Sequence, residues 1–265
     1  MGFLEAIVLG IIQGFTEFLP VSSSGHLKIA QHFLGSNEKD LLFSIVVHVG
    51  TLFAVLWAFR DSLVVYVKAV LGGMGLEQAQ RRQGLSEILW IGAATFPTAV
   101  IGLSAKKYFE GVSSVTVAWM FVVTGGLLLM TRFLREGDRT CASLGWMPAL
   151  IIGIAQGLAI TPGISRSGTT IVFALIVGMR RDEAGRFSFL LAIPAIVGAA
   201  LLELRKLQSL EGLLPFLVGG IVAGVTGFFV LSWLLRVVRQ GKLYWFTPYL
   251  WTMATILLVY FYTRP

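Results

Sequence analysis

The chain contains two copies of one polar, glycine-rich segment, and the copies align without a gap at an offset of 143 residues, the distance from Gln13 to Gln156. The first copy covers residues 13–26 and the second covers residues 156–169. A match of this length indicates a duplicated chain, so the two halves are expected to share one fold. The identical pairs are Gln13/Gln156, Gly14/Gly157, Ser22/Ser165, Ser24/Ser167 and Gly25/Gly168.

Both copies lie in apolar surroundings. The 265-residue chain is 56% hydrophobic and only 13% charged, whereas soluble domains carry about 25% charged residues. This composition predicts an integral membrane protein whose length is used up by spans. The single cysteine, Cys141, excludes an internal disulfide and disfavours a zinc–cysteine site. The net charge of +7 comes from scattered basic residues, which indicates loops at an anionic membrane surface and no nucleic-acid partner.

A membrane-spanning helix needs about 20 apolar residues. Two apolar stretches, 3–34 and 147–178, are each interrupted by a copy of the polar segment, with Pro20 or Pro162 at the break. Each is predicted to enter the membrane and turn back as a re-entrant helical hairpin. Interrupted segments at matching positions of two halves point to a binding site near the bilayer midplane. Full or nearly full spans are predicted at residues 41–59, 86–105, 113–134, 185–204, 213–235 and 244–263.

These elements predict an all-α polytopic membrane protein with an inverted repeat, in which each half is one re-entrant helical hairpin plus three transmembrane helices. Because three is odd, the second half must be inverted, so the hairpins enter from opposite faces and can meet. Residues 1–265 form one integral membrane domain, with the first repeat at about 1–140 and the second at about 141–265. Residues 60–85 are expected to be an extended helix end and a loop.

The distribution of lysine and arginine predicts the orientation of this topology. One side of the membrane holds 13 of these residues and the other holds 7, while Arg166 lies in a hairpin. The richer side is expected to be cytoplasmic, which places both termini outside. The poorer side consists of Lys28, Lys39, Lys106, Lys107, Arg205, Lys206 and Arg264.

Two ionisable residues, Glu17 and Arg166, lie inside predicted membrane segments, where charges are costly and usually functional. In the alignment Glu17 faces Ile160, and Arg166 faces Ser23. The alternative is a structural ion pair that locks the hairpins together. That alternative leaves the loop hydroxyls unexplained, although one or two of them are expected to cap helices. The hydroxyl residues are Ser22, Ser23, Ser24, Ser165, Ser167, Thr169 and Thr170.

Together the two loops resemble a site for an anion with two phosphates. Gly25 and Gly168 allow the backbone to approach a ligand closely. Each loop leads into a helix whose N-terminal amides can bind phosphate. Arg166 adds a bidentate fork for phosphate oxygens.

Further residues of the first loop add reactivity. Ser23 and His26 lie three residues apart, which allows both side chains on one face of a starting helix. Attack by serine on phosphorus needs a base, and His26 or Glu17 could serve. Gln13 lies four residues before Glu17, hence on the same helical face. It could hold a metal ion or a phosphate oxygen.

Other polar residues give weaker signals. His48 lies in a predicted span, where helix packing and a place in the site both stay open. His32 is expected at the membrane interface, and Glu87 is expected in a solvated loop. Gly220 and Gly224 form a small-residue pattern that indicates close helix packing.

The sequence resembles the undecaprenyl-diphosphate phosphatase family, also called the bacitracin-resistance proteins, over nearly its whole length. The resemblance rests on Gln13-x-x-x-Glu17 followed by Pro20-Val-Ser-Ser-Ser-Gly-His26, and on Pro162-Gly-Ile-Ser-Arg-Ser-Gly-Thr-Thr170. The runs 43–51 and 186–194 are also similar to the family. The resemblance implies an integral enzyme of the bacterial inner (plasma) membrane, with a site open to the outer face. This enzyme would hydrolyse undecaprenyl diphosphate to the monophosphate and inorganic phosphate.

By motif match, the resemblance implies catalytic roles for Glu17, Ser23, His26 and Arg166. It also implies dependence on a divalent cation, Mg2+ or Ca2+, with Gln13 and Glu17 as metal ligands. The family has Glu or Gln at the position of Gln13, and Gln removes one negative charge from a metal site. Substrate-binding roles are implied for Gln13, Ser22, Ser24, Gly163, Ser165, Ser167 and Thr170.

Two alternatives stay open at this stage. Ser23 could attack the terminal phosphorus, or water could attack directly with Ser23 only as a ligand. An inverted repeat with broken helices is also transporter architecture, so a lipid-phosphate flippase or phosphate transporter is the rival function. The expected partners are the polyprenyl diphosphate and membrane lipids, and a homodimer stays open.

Overall fold

The computed structural model describes residues 2–34, 41–105, 111–205 and 213–263. These residues form eleven α-helices and a short 3-10 helix, Leu243–Phe246, and no β-strand occurs among them. The all-α fold is therefore confirmed. The α-helices are α1 (Phe3–Phe18), α2 (Ser23–Leu34), α3 (Leu41–Ala58), α4 (Arg60–Val70), α5 (Gln78–Ser104), α6 (Ser114–Met130), α7 (Trp146–Leu158), α8 (Arg166–Ile176), α9 (Arg181–Leu204), α10 (Leu213–Arg239) and α11 (Thr247–Thr263).

Several of these helices are suited to cross a membrane. α5, α9 and α10 are long and apolar enough by themselves, and a fourth span results if the bent pair α3–α4 counts as one. α6 and α11 have 17 residues each, at the lower end of the range of about 17–25 residues for a spanning helix. Each predicted span thus coincides with a helix, and the protein is a multi-pass membrane protein.

The sequence repeat is also a structural repeat. α1 and α2 form the first hairpin, and α7 and α8 form the second. α7 begins at Trp146, which is the aligned equivalent of Phe3 at the start of α1. α8 begins at Arg166, the aligned equivalent of Ser23 at the start of α2. The two polar loops therefore occupy the same place in both hairpins.

Each hairpin packs mainly against a helix of the opposite half, since α1 lies along α10 and α7 lies along α5. The close contacts repeat as well. A Cβ atom added at Gly10 would lie 2.4 Å from the carbonyl oxygen of Gly219 on α10. A Cβ added at the equivalent Gly153 would lie 2.1 Å from the carbonyl oxygen of Ala94 on α5. This exchange of hairpins between halves brings the two polar loops together.

The small residues of α10 also fix the position of α3. A Cβ at Gly50 would lie 2.1 Å from the carbonyl oxygen of Gly220, and a Cβ at Gly224 would lie 2.8 Å from that of Gly50. Backbones at this separation leave no room for a side chain on either helix. The predicted packing role of Gly220 and Gly224 is confirmed.

The prediction of an extended helix end and a loop at residues 60–85 is wrong in two respects, because α4 is a separate helix and α5 already begins at Gln78. α4 does not extend α3 but is a separate helix, bent from it by 77°. The break falls at Phe59, and the charged pair Arg60–Asp61 follows it at the start of α4. Tyr66 and Ala69 are the buried residues of α4, which packs against α5. A mostly polar helix start favours this surface position over continuation of the apolar α3.

The orientation of the protein in the membrane stays a prediction. Most of the basic residues assigned to the poorer side lie outside the described residues. These are Lys39, Lys106, Lys107, Lys206 and Arg264.

The expectation of a solvated loop around Glu87 is also wrong, because Glu87 is only 1% exposed. Both terminal nitrogens of Arg186 donate to its carboxylate, at 3.0 and 2.6 Å. The Tyr66 hydroxyl donates to the same carboxylate at 2.6 Å, and Gln83 Nε2 donates at 3.0 Å. This buried cluster ties α4 and α5 to α9, and it lies outside the two polar loops.

Replacing Glu87 with alanine is expected to lower the free energy of unfolding by about 3 kcal/mol, because Arg186, whose side chain is 23% exposed, would lose its bidentate partner and keep the more distant Glu183 carboxylate at 3.8 Å. Denaturation by SDS in mixed micelles measures this loss. The matched control is Asp61→Ala, since the Asp61 side chain is 91% exposed and 3.8 Å from Arg60, and exposed pairs contribute little. Equal stability of the two variants would contradict a structural role for the Glu87 cluster.

Candidate active site

The Glu17 carboxylate is the centre of the polar loops, and it is buried with 6% exposure. Its Oε1 atom forms an ion pair with Arg166. Its Oε2 atom accepts hydrogen bonds from Ser23 Oγ at 2.6 Å and from Gln13 Nε2 at 2.9 Å. His48 Nε2 lies 3.7 Å from the same Oε2 atom. One carboxylate thus gathers groups from both halves of the chain.

The helices explain why these side chains meet. Gln13 and Glu17 are one turn apart on α1, while Ser23 and Arg166 are the first residues of α2 and α8. Ser23 and Arg166 occupy equivalent positions of the repeat, so the pseudo-symmetry that joins the hairpins places both at one point. The N-terminal ends of α2 and α8 place their first backbone amides at the loops, which favours an anion there.

The loops are held together by Ser22. This residue has a φ of 71°, a left-handed conformation that is unusual for a non-glycine residue. Its hydroxyl accepts hydrogen bonds from the Gly163 amide of the other loop at 3.1 Å and from the Gly25 amide at 3.4 Å. A second link is Ser167 Oγ, which donates to the Leu19 carbonyl at 3.3 Å. Strained backbone of this kind persists where its surroundings fix it, commonly at functional sites.

Two of the predicted substrate-binding hydroxyls of the second loop bond to the backbone at the start of α8, the helix that carries Arg166. Ser165 caps α8, because its Oγ accepts from the Gly168 amide at 3.1 Å. Thr170 Oγ1 donates to the Arg166 carbonyl at 2.9 Å and also contacts Ser188. These hydroxyls are buried and bonded to the protein, and they fix the start of the helix that carries Arg166.

In the same loops, Gly163 is tightly enclosed, since a Cβ there would lie 2.6 Å from the Val117 carbonyl oxygen. Ser24 is exposed, with its Oγ 3.4 Å from Ser22 Oγ. Of the predicted substrate-binding hydroxyls, Ser24 is therefore the one most open to a ligand.

His26 lies away from the serine that it was expected to activate. Its Nδ1 donates to the Ser22 carbonyl at 2.8 Å, so its Nε2 accepts from the Tyr249 hydroxyl at 2.7 Å. Within the described chain, no hydrogen bond joins His26 to Ser23 or to Glu17. The sequence left the base open between His26 and Glu17, and this geometry favours Glu17. Tyr249 was not identified as part of the site from the sequence, because no motif lies near it there.

The His26–Tyr249 pair lies at the wall of an apolar cavity of about 350 Å3 between α1, α2, α6 and α11. A chain-like apolar ligand could lie in this cavity with its polar end at the loops. Its other lining residues include Phe15, Ile29, Phe121 and Met253.

Gln13 and Glu17 provide oxygen donors for a cation. Gln13 Oε1 is buried and has no hydrogen-bond partner, while the other end of the same amide is bonded to Glu17. In the described ranges, no cluster of three His, Cys, Asp or Glu side chains is placed to hold a metal ion. Mg2+ is commonly held by one or two carboxylates plus phosphate oxygens. The two residues therefore fit a hard cation whose remaining ligands come from a phosphate.

Fold and site together define a polytopic membrane protein in which two re-entrant loops, one from each half, enclose a carboxylate, a serine and an arginine at helix N-termini. The chain belongs to the bacitracin resistance protein BacA family, whose model matches residues 6–256.

Curated relatives extend over nearly the whole chain. It is 42% identical to the undecaprenyl-diphosphatase of Carboxydothermus hydrogenoformans, a match that covers 98% of this chain and 97% of the relative. It is 43% identical to the enzyme of the same name from Desulfatibacillum aliphaticivorans, with 98% and 99% covered. It is 44% identical to that of Syntrophotalea carbinolica, with 96% and 97% covered.

Proposed function

We propose that this protein hydrolyses undecaprenyl diphosphate to undecaprenyl phosphate and inorganic phosphate. This reaction recycles the carrier lipid for cell-wall synthesis and confers bacitracin resistance. The observation that carries the proposal is the shared contact of Glu17 with Ser23 of one loop and Arg166 of the other. The names of the curated relatives support the same reaction.

The site offers matching surfaces for both parts of such a lipid. The diphosphate fits between the amide-bearing starts of α2 and α8, where Arg166, which holds Glu17 through one terminal nitrogen, offers its remaining N–H groups to phosphate oxygens. The isoprenyl chain fits the apolar cavity beside His26 and Tyr249. The His26–Tyr249 pair then lies where the apolar and charged parts of the substrate join.

In the favoured mechanism Ser23 Oγ attacks the terminal phosphorus, and its proton passes to Glu17 Oε2, which already accepts that hydrogen bond at 2.6 Å. The bond from the terminal phosphorus to the bridging oxygen breaks, and the lipid monophosphate leaves with that oxygen. Water then attacks the phosphoserine and releases phosphate, while Ser23 regains a proton. Direct attack by water uses the same groups, with Glu17 as the base and Ser23 as a ligand.

Gln13 and Glu17 would hold the divalent cation, Mg2+ or Ca2+. When bound, it would neutralise charge on the phosphate oxygens. Glu17 would then have two roles, as an acceptor for the Ser23 proton and as a ligand. Arg166 stays on the Oε1 atom of Glu17 and orients the carboxylate for both roles.

The substrate and the charge distribution support the proposed membrane placement. The protein is proposed to lie in the bacterial inner (plasma) membrane with the site open to the outer face, since the basic residues are richer on the opposite side. A transporter would need binding groups only, whereas the 2.6 Å contact between Ser23 and Glu17 is suited to proton transfer.

Phosphate release from undecaprenyl diphosphate by the detergent-purified protein tests the proposal. We expect release that stops on addition of EDTA and returns when Mg2+ or Ca2+ is added in excess. The matched control is heat-inactivated protein from the same preparation. A well-folded protein that binds the lipid but releases no phosphate would overturn the proposed reaction and favour transport.

A further inference from the structure

The structure places His48, on α3, beside the Glu17 carboxylate. From the sequence, the role of His48 was open between helix packing and a place in the site. Its Nε2 atom lies 3.7 Å from Glu17 Oε2, and its side chain is 30% exposed. Its Nδ1 atom donates to the Ser44 carbonyl at 2.7 Å. In the neutral imidazole the proton is therefore on Nδ1, and Nε2, the ring nitrogen near the carboxylate, is left as an acceptor.

In the neutral imidazole, His48 Nε2 and the Glu17 Oε2 atom that it faces are both acceptors, and a cation between them would satisfy both. The 3.7 Å separation is too long for a hydrogen bond. Two ligands that are each about 2.1 Å from one cation lie roughly 3–4 Å apart, depending on the angle between them. A metal-bound histidine commonly donates its other ring N–H to a backbone carbonyl, as His48 does to Ser44.

The backbone holds His48 rigidly in this place. Gly50 packs directly on the backbone of Gly220, which fixes the register of α3 against α10. Thr51 Oγ1 donates to the His48 carbonyl at 2.9 Å. Arg166 pairs with the Oε1 atom of Glu17, whereas the Oε2 atom, which lies toward His48, accepts from Ser23 and Gln13.

We infer that His48 Nε2 is a direct ligand of the divalent cation, together with Glu17 and the unpartnered oxygen of Gln13. The inference rests on the proposed function, because it concerns the cation of that reaction. One nitrogen and two oxygen donors favour Mn2+ over Ca2+, which prefers oxygen ligands only. The imidazole nitrogen from α3 would thus compensate for the negative charge that the site lacks because residue 13 is Gln.

Electron paramagnetic resonance of bound Mn2+ tests this ligand without relying on turnover. Electron spin-echo modulation from a coordinated imidazole nitrogen is expected in the full-length protein, and it should be lost in His48→Gln. The dissociation constant for Mn2+ should rise at least about tenfold in that variant. The matched control is His32→Gln, since the ring of His32 packs against the aromatic rings of Phe33, Tyr260 and Phe261.

Absence of nitrogen modulation in the unmodified protein would overturn the inference, as would full retention in His48→Gln. Unchanged Mn2+ affinity would point instead to a plain ion pair between His48 and Glu17. The measurement on the unmodified protein does not depend on how any variant folds. Metal-dependent phosphate release without nitrogen modulation would leave the proposed function intact, whereas absence of release would count against that function alone.

Discussion

Replacing Arg166 with alanine is expected to lower kcat/KM for undecaprenyl diphosphate at least about a thousandfold, the effect of removing an arginine that stabilises a transferring phosphoryl group. Arg166 is the cation that the structure places on the Glu17 carboxylate. Its loss removes the fork for the phosphate oxygens and leaves Glu17 charged, buried and without its main partner. Steady-state phosphate release at several substrate concentrations measures the loss and separates kcat from KM.

Two further variants separate chemistry from folding in that experiment. Arg166→Lys keeps the charge but loses the planar fork, so activity should recover only in part. Breaking a buried pair can cost about 3–5 kcal/mol in stability, and the double variant Arg166→Met with Glu17→Gln removes both charges together. That variant should fold and remain inactive. Activity of Arg166→Ala near that of the unmodified protein would contradict the site as described.

The meeting of the two loops could be predicted because the repeat encodes it. Ser23 and Arg166 are equivalent by alignment, and equivalent positions at the tips of two hairpins related by pseudo-symmetry come together wherever the hairpins meet. The only requirement is that each hairpin packs on the other half, as Gly10 and Gly153 allow. Duplication followed by divergence at two aligned pairs, Ser23/Arg166 and Glu17/Ile160, thus yields a hydroxyl and a cation on either side of one carboxylate.

The orientation of His26 could not be predicted in the same way. A spacing of three residues places Ser23 and His26 near one face of a helix, but it does not determine which neighbouring helix that face meets. Tyr249, which bonds His26, is 223 residues away in sequence. Glu87 was misplaced for the same reason, since its partner Arg186 is 99 residues distant. Local pattern identifies polar residues, whereas tertiary packing decides what they contact.

Replacing Ser23 with alanine is expected to lower kcat at least about a thousandfold if serine is the nucleophile, as for removal of other nucleophilic serines. Acid quenching of the unmodified protein during turnover, with the terminal phosphate labelled, should trap a phosphoserine at Ser23 that the alanine variant lacks. The control Ser232→Ala removes a hydroxyl bonded to its own helix at the Phe228 carbonyl, and its turnover should be unchanged. Full activity of Ser23→Ala would exclude the serine nucleophile. A moderate loss without trapped phosphate would favour direct attack by water with Glu17 as the base, since Glu17 Oε2 would then be free of the 2.6 Å bond to Ser23 and open to a water molecule.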